Sequence, residues 1–94
     1  MKRPDETRQD ECLMMETSYD ITAEVKAAMR KFPLWPVDPL HAVAIIGEEF
    51  GELQKAVVDN RFFDKATVDD MINEATQTAA MCVRFIMRLQ EEML

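Results

Sequence analysis

Pro33, Pro36 and Pro39 fall close together between two stretches whose apolar residues recur at the three-and-four spacing of a helix face. A proline lacks the amide donor and clashes with the carbonyl four residues back, so no regular helix runs through this segment. The chain must fold as separate helices on either side of it. Before the prolines, Ile21, Val25, Ala28, Met29 and Phe32 mark one apolar face starting near Tyr19, and Pro33 ends that helix. After them, Asp38 stands as an N-cap residue ahead of Pro39 at the first helical position. The second helix runs through Leu40, Val43, Ile46, Phe50, Leu53 and Val57 to about Asp59-Asn60, and a loop over Arg61, Phe62, Phe63, Asp64 and Lys65 follows it. Gly47 and Gly51 within it suit close packing against a neighbouring helix. Thr67 with Asp70 three positions on resembles a capping box and opens a third helix from Val68 to about Gln90.

Composition agrees: with two Gly and eight Met among 94 residues, of which 48% are hydrophobic, the chain is short of tight-turn residues and rich in helix formers. The expected fold is all-α, a bundle of three to four helices in one domain. Residues 1–18 carry charges of both signs around Cys12, Leu13, Met14 and Met15 without a long apolar period, and read as a loosely ordered N-terminal arm ahead of a helical domain over residues 19–94. The stretch from Ala75 to Met87 is apolar nearly all round, with Ile72, Ala79, Val83 and Ile86 opposite Glu74. One neighbouring helix does not cover two faces, so a homo-oligomer is expected, a dimer or a tetramer.

A net charge of -7 and the lack of any long Lys/Arg cluster argue against a nucleic-acid polymer as partner. Cys12 and Cys82 are far apart, and Cys82 lies in an apolar run, which points to reduced thiols and a cytoplasmic protein. No run approaches the roughly 20 apolar residues of a membrane span.

The placement of the acidic residues is more informative than their number. Glu49 and Glu52 lie one turn apart on the second helix, with Glu49 between Ala42, Ile45, Leu53 and Ala56 and Glu52 at the edge near His41 and Glu48. On the third helix Glu74 falls among Met71, Thr78, Met81 and Phe85, and Gln77 follows it by one turn. A carboxylate within an apolar face is costly unless it is paired or binds a metal. Two helices presenting oxygen pairs toward one another would line a cage for a hard cation such as Mg²⁺, some of whose waters a triphosphate replaces. The competing structural reading pairs Glu74 or Asp70 with Arg84 or Arg88 as helix ion pairs. His41 reads as a surface residue, and Trp35, Phe62 and Phe63 as packing residues, with stacking on a base the alternative for one of them. Lys55 and Lys65 are candidates to reach a phosphate.

Glu48-Glu49-Phe50-Gly51-Glu52-Leu53, followed some twenty residues later by Glu74, is similar to the EExxE and ExxD signature of the MazG-like nucleoside triphosphate pyrophosphohydrolases. Trp35-Pro36-Val37-Asp38-Pro39-Leu40-His41-Ala42 resembles a compact form of the segment that precedes it. The resemblance covers roughly Asp38 to Arg88. It implies an oligomer that hydrolyses a (d)NTP to the monophosphate and pyrophosphate, with Mg²⁺ (or Mn²⁺) held by Glu49, Glu52 and Glu74. Glu48 or Glu49 would be the catalytic base. Gln77 departs from the pattern, because it stands where the family has its final Asp and supplies an oxygen without charge. That substitution keeps open a second expectation, a non-catalytic helical module that binds nucleotide or serves as a scaffold.

Overall fold

In the computed structural model, which describes residues 3–94, the chain forms three α-helices and one π-helical turn, with no strand among the described residues. Helix α1 spans Pro4–Lys31, α2 Pro39–Val58 and α3 Val68–Met93, and the π turn, Asp59–Phe63, continues α2. The expected boundaries hold where local chemistry sets them. Asp38 Oδ1 accepts from the Leu40 N–H at 2.9 Å, with Pro39 in the first turn. Thr67 and Asp70 form a reciprocal capping box, with Asp70 N–H donating to Thr67 Oγ1 at 3.1 Å and Thr67 N–H to Asp70 Oδ2 at 2.8 Å. The Thr67 donors hold the Asp70 carboxyl below the ordinary carboxylate range.

Two expectations about the connections are corrected. The first helix, expected from near Tyr19, starts at Pro4 and so runs through the segment 1–18 that reads as an N-terminal arm; Met1 and Lys2 lie outside the described residues. Pro4 sits in the first turn with Asp5 and Glu6, and Arg3 Nε donates to Glu6 Oε1 at 3.0 Å. Once the far end of α1 is anchored, each added residue extends a helix already nucleated. The missing apolar period signals the lack of a packed face: Leu13, Met14, Met15 and Tyr19 are all exposed. The second correction is at Arg61 to Phe63, expected to be loop, which is wound into the π turn. Lys65 N–H donates to Asp59 O at 3.1 Å, and Asp64 ends the turn in the left-handed region at φ 52°.

Helix α3 packs against both α2 and α1 and so forms the centre of the molecule. The C-terminal half of α1 meets it through Ile21, Glu24, Val25 and Ala28, which are buried or half-buried at helical spacing. The fully packed interior is small: Val25, Ala42, Ala56 and Ala80 are its buried apolar residues, and no large side chain is completely enclosed. The expected apolar strip on α3 is narrower than its spacing suggests. With two helices on α3, Ala79 and Val83 are half-buried, while Ile72 and Ile86 stay 55% and 53% exposed. Gly47 and Gly51 do not mark a close helix contact either, because a Cβ built at either position meets nothing within 4 Å. No helix among the described residues is long and apolar enough to cross a membrane.

Candidate functional site

Helices α2 and α3 carry glutamates in the stripes that they bury against each other. On α2 the buried and half-buried residues are Ala42, Ile45, Ile46, Glu49, Leu53 and Ala56, a run at helical period. On α3 Met71, Glu74, Thr78, Met81 and Phe85 are half-buried around the enclosed Ala80. The helix period thus carries Glu49 and Glu74 inward, while Glu52, one turn on from Glu49, reaches them from the exposed edge. Carboxylate oxygens of the three residues lie within 4.8 Å of one another.

This cluster is electrostatically unrelieved. Oε2 of Glu49 and Oε2 of Glu74 are both buried and accept no hydrogen bond from the protein. Burial pushes the Glu49 carboxyl above the ordinary carboxylate range, and repulsion from Glu52, Glu74 and Glu48 and a hydrogen bond with Glu52, which requires a shared proton, push it the same way. Glu74 is raised by burial first, then by Glu52 and Asp70. The ion pairs that would make the cluster structural are not formed: Arg84 Nη2 donates instead to Phe32 O at 2.8 Å, and Arg88 Nη1 to Glu91 Oε2 at 3.0 Å. Three converging hard oxygens, two of them with a buried atom lacking a donor, fit a divalent cation of the Mg²⁺ type.

A cavity of about 820 Å³ opens beside the cluster and draws walls from all three helices and the proline connector. Glu48 and Glu49 of α2, Gln77 of α3 and Glu24 of α1 line it, together with Trp35 and Arg84. Gln77 is half-buried and lines the same cavity as Glu49. His41, expected at the surface, is exposed but borders the same cavity. Of the candidate phosphate contacts, Lys55 is engaged by Asp59 at 2.8 Å and Lys65 lies over the Phe63 ring at 5.9 Å; Lys31 lines the cavity instead. Phe62 and Phe63 are exposed at the π turn, and of the three candidate aromatics Trp35 is the one in the cavity wall. A concavity of about 850 Å³ alongside α1, between Glu11 and Arg30, is lined by that helix alone and so has a single wall.

No family model, curated protein or solved structure matches the chain. The geometry adds Glu24 to the residues singled out in the sequence and gives Arg84 partners other than the helix ion pairs expected of it. Glu24 lies in the apolar stripe Ile21, Val25, Ala28 of α1, the same signal that marks Glu49 on α2. Arg84 is enclosed, 7% exposed, with its guanidinium 4.8 Å from the centre of the Trp35 ring.

Proposed function

We propose that this chain is the subunit of a Mg²⁺-dependent nucleotide pyrophosphohydrolase of the MazG-like kind, which hydrolyses a (d)NTP to the monophosphate and pyrophosphate. The observation that carries this reading is the pair of buried, donorless oxygens on Glu49 and Glu74, from two different helices, converging with Glu52 at the edge of a cavity large enough for a nucleotide. A purely structural buried charge is paired or hydrogen-bonded. These oxygens are neither, and a divalent cation would relieve them where a proton shared with Glu52 relieves them in its absence.

Glu49, Glu52 and Glu74 would hold the ion. A divalent cation there would neutralise phosphate oxygens and lower the pKa of a bound water. Glu48 lines the cavity but stands outside the three-carboxylate group, so it is placed to accept the proton of the attacking water while Glu49 serves the ion. Gln77, which lines the same cavity, would contribute a neutral oxygen.

The experiment is pyrophosphate release from a panel of canonical and modified (d)NTPs with Mg²⁺ or Mn²⁺. Glu49→Gln, Glu52→Gln and Glu74→Gln should each abolish it while the protein stays folded; three active variants would show that the ion sits elsewhere or is not needed. A second reading, a non-catalytic nucleotide-binding or scaffold module, is favoured by one observation: the cavity wall beside Glu49 carries the uncharged Gln77. It predicts binding without release across the whole panel. Both readings include a homo-oligomer, supported by the small enclosed interior and the exposed Ile72 and Ile86, and sedimentation at micromolar concentration tests that. Cys12 and Cys82, both free, suit the cytoplasm as the site of action.

A further inference from the structure

Arg84 is a buried cation without a buried anion. It is 7% exposed, it makes no ion pair among the described residues, and one hydrogen bond, from Nη2 to Phe32 O at 2.8 Å, is what the protein offers it. A guanidinium carries five N–H donors in a rigid plane, so most of its donors are left over. None of its nitrogens is both fully enclosed and without a partner, and Arg84 lines two spaces, the cavity of about 820 Å³ beside the carboxylates and a smaller one of about 220 Å³ shared with Arg88 and Glu91, of which the larger has room for a nucleotide. Its plane is steadied by Trp35, whose ring centre lies 4.8 Å away, and the indole also lines the cavity. Along α3, Arg84 stands seven and ten positions beyond Gln77 and Glu74, about 10 and 15 Å at 1.5 Å per residue. That offset suits a ligand whose anionic end lies at the carboxylates and whose other end is a flat ring.

We infer that Arg84 reads the base of the nucleotide, donating in bidentate fashion to the adjacent O6 and N7 acceptors of a 6-oxopurine that shares the Trp35 face. The inference rests on the nucleotide reading above and adds its substrate class. A planar fork of donors matches two neighbouring acceptors on one ring edge, and adenine has an amino donor where guanine and hypoxanthine have O6. Adenine therefore meets Arg84 with a donor facing a donor.

The test compares deoxyinosine and deoxyadenosine as their non-hydrolysable α,β-imido triphosphates, which differ at position 6 of the base and its N1 proton. A base-free imidotriphosphate is the third probe. Each is titrated calorimetrically into the full chain with Mg²⁺ present, so that the result does not depend on turnover. The wild type should bind the deoxyinosine compound tighter by on the order of tenfold to a hundredfold. Arg84→Lys keeps the charge and a donor for Phe32 O but lacks the fork, and should bring the ratio close to one; a role in packing alone would weaken both nucleotides together and leave the ratio unchanged. A wild-type ratio of one with the base-free probe still bound overturns the role of Arg84 and spares the cation site, whereas no binding of any probe overturns the nucleotide reading and this inference with it. Should Arg84→Lys fail to fold, the wild-type ratio decides by itself.

Discussion

At one end of the cavity the buried charge of Arg84 is held by the protein, through a carbonyl of the α1 terminus and the face of Trp35, whereas at the other end Glu49 and Glu74 each keep a buried oxygen that no donor reaches. The first arrangement is stable without a ligand. The second costs stability until something positive arrives. One end of the cavity thus serves the fold as well as offering spare donors to a ligand, whereas the other costs stability until a cation arrives, and the two respond oppositely to substitution.

The largest effect should be a difference in sign. Arg84→Ala removes the stack on Trp35 and leaves Phe32 O without its donor, at a cost of roughly 1–3 kcal/mol of stability. Glu49→Gln and Glu74→Gln remove a charge that nothing compensates, so in the absence of divalent cations each should raise the melting temperature. Thermal denaturation of the three variants in chelator reads both signs. Glutamine variants less stable than wild type would mean that the carboxylates are satisfied after all.

A smaller effect of the same origin is a pH dependence. The folded-state pKa values of Glu49 and Glu74 lie above their unfolded values, so the folded protein binds protons more readily and stability rises as pH falls from neutral toward those raised values. Asp70 has the opposite sign: its contribution is present above its unfolded pKa and is lost as pH falls through its lowered folded value. The cation-free protein should therefore melt highest in mildly acidic buffer, and Glu49→Gln combined with Glu74→Gln should flatten the rise below pH 7. An unchanged rise in that double variant would place its origin elsewhere.

The smallest effect concerns the outer face of α2. Gly47→Ala and Gly51→Ala each fill open space and should stabilise a helix interior by roughly 0.5–1 kcal/mol. Loss of stability together with a shift toward monomer in sedimentation would mean that a second subunit packs closely on that face.

How much of this was legible in the sequence follows from the range of the interactions concerned. The start of α2 at Pro39 and of α3 at Val68 rests on contacts spanning two or three residues, Asp38 to Leu40 and Thr67 to Asp70, and both could be read directly. The convergence of Glu49, Glu52 and Glu74 was legible because the helix period alone places each acidic residue on or beside an apolar stripe. The N-terminal half of α1 was not, since an exposed helix carries no apolar period to betray it. Nor was the π turn, whose i to i+6 closure from Lys65 to Asp59 leaves no simple residue pattern. The role of Arg84 was hidden for a different reason: its spacing from Glu74 suggested nothing beyond helix ion pairing, while its actual partners, Phe32 and Trp35, lie across the connector in another part of the chain.

Calorimetric titration of Mg²⁺ into the wild type and into Glu74→Gln at neutral pH tests whether the Glu49, Glu52 and Glu74 cluster takes a cation. The wild type should bind the ion, and saturation at a hundred times the Kd should add about 2.7 kcal/mol of stability. Glu74→Gln should bind it on the order of tenfold more weakly or worse, since affinity follows the number of charged ligands. A wild type that neither takes up Mg²⁺ nor gains stability in its presence, or a Glu74→Gln variant that binds as well as wild type, would show that these three carboxylates hold no cation.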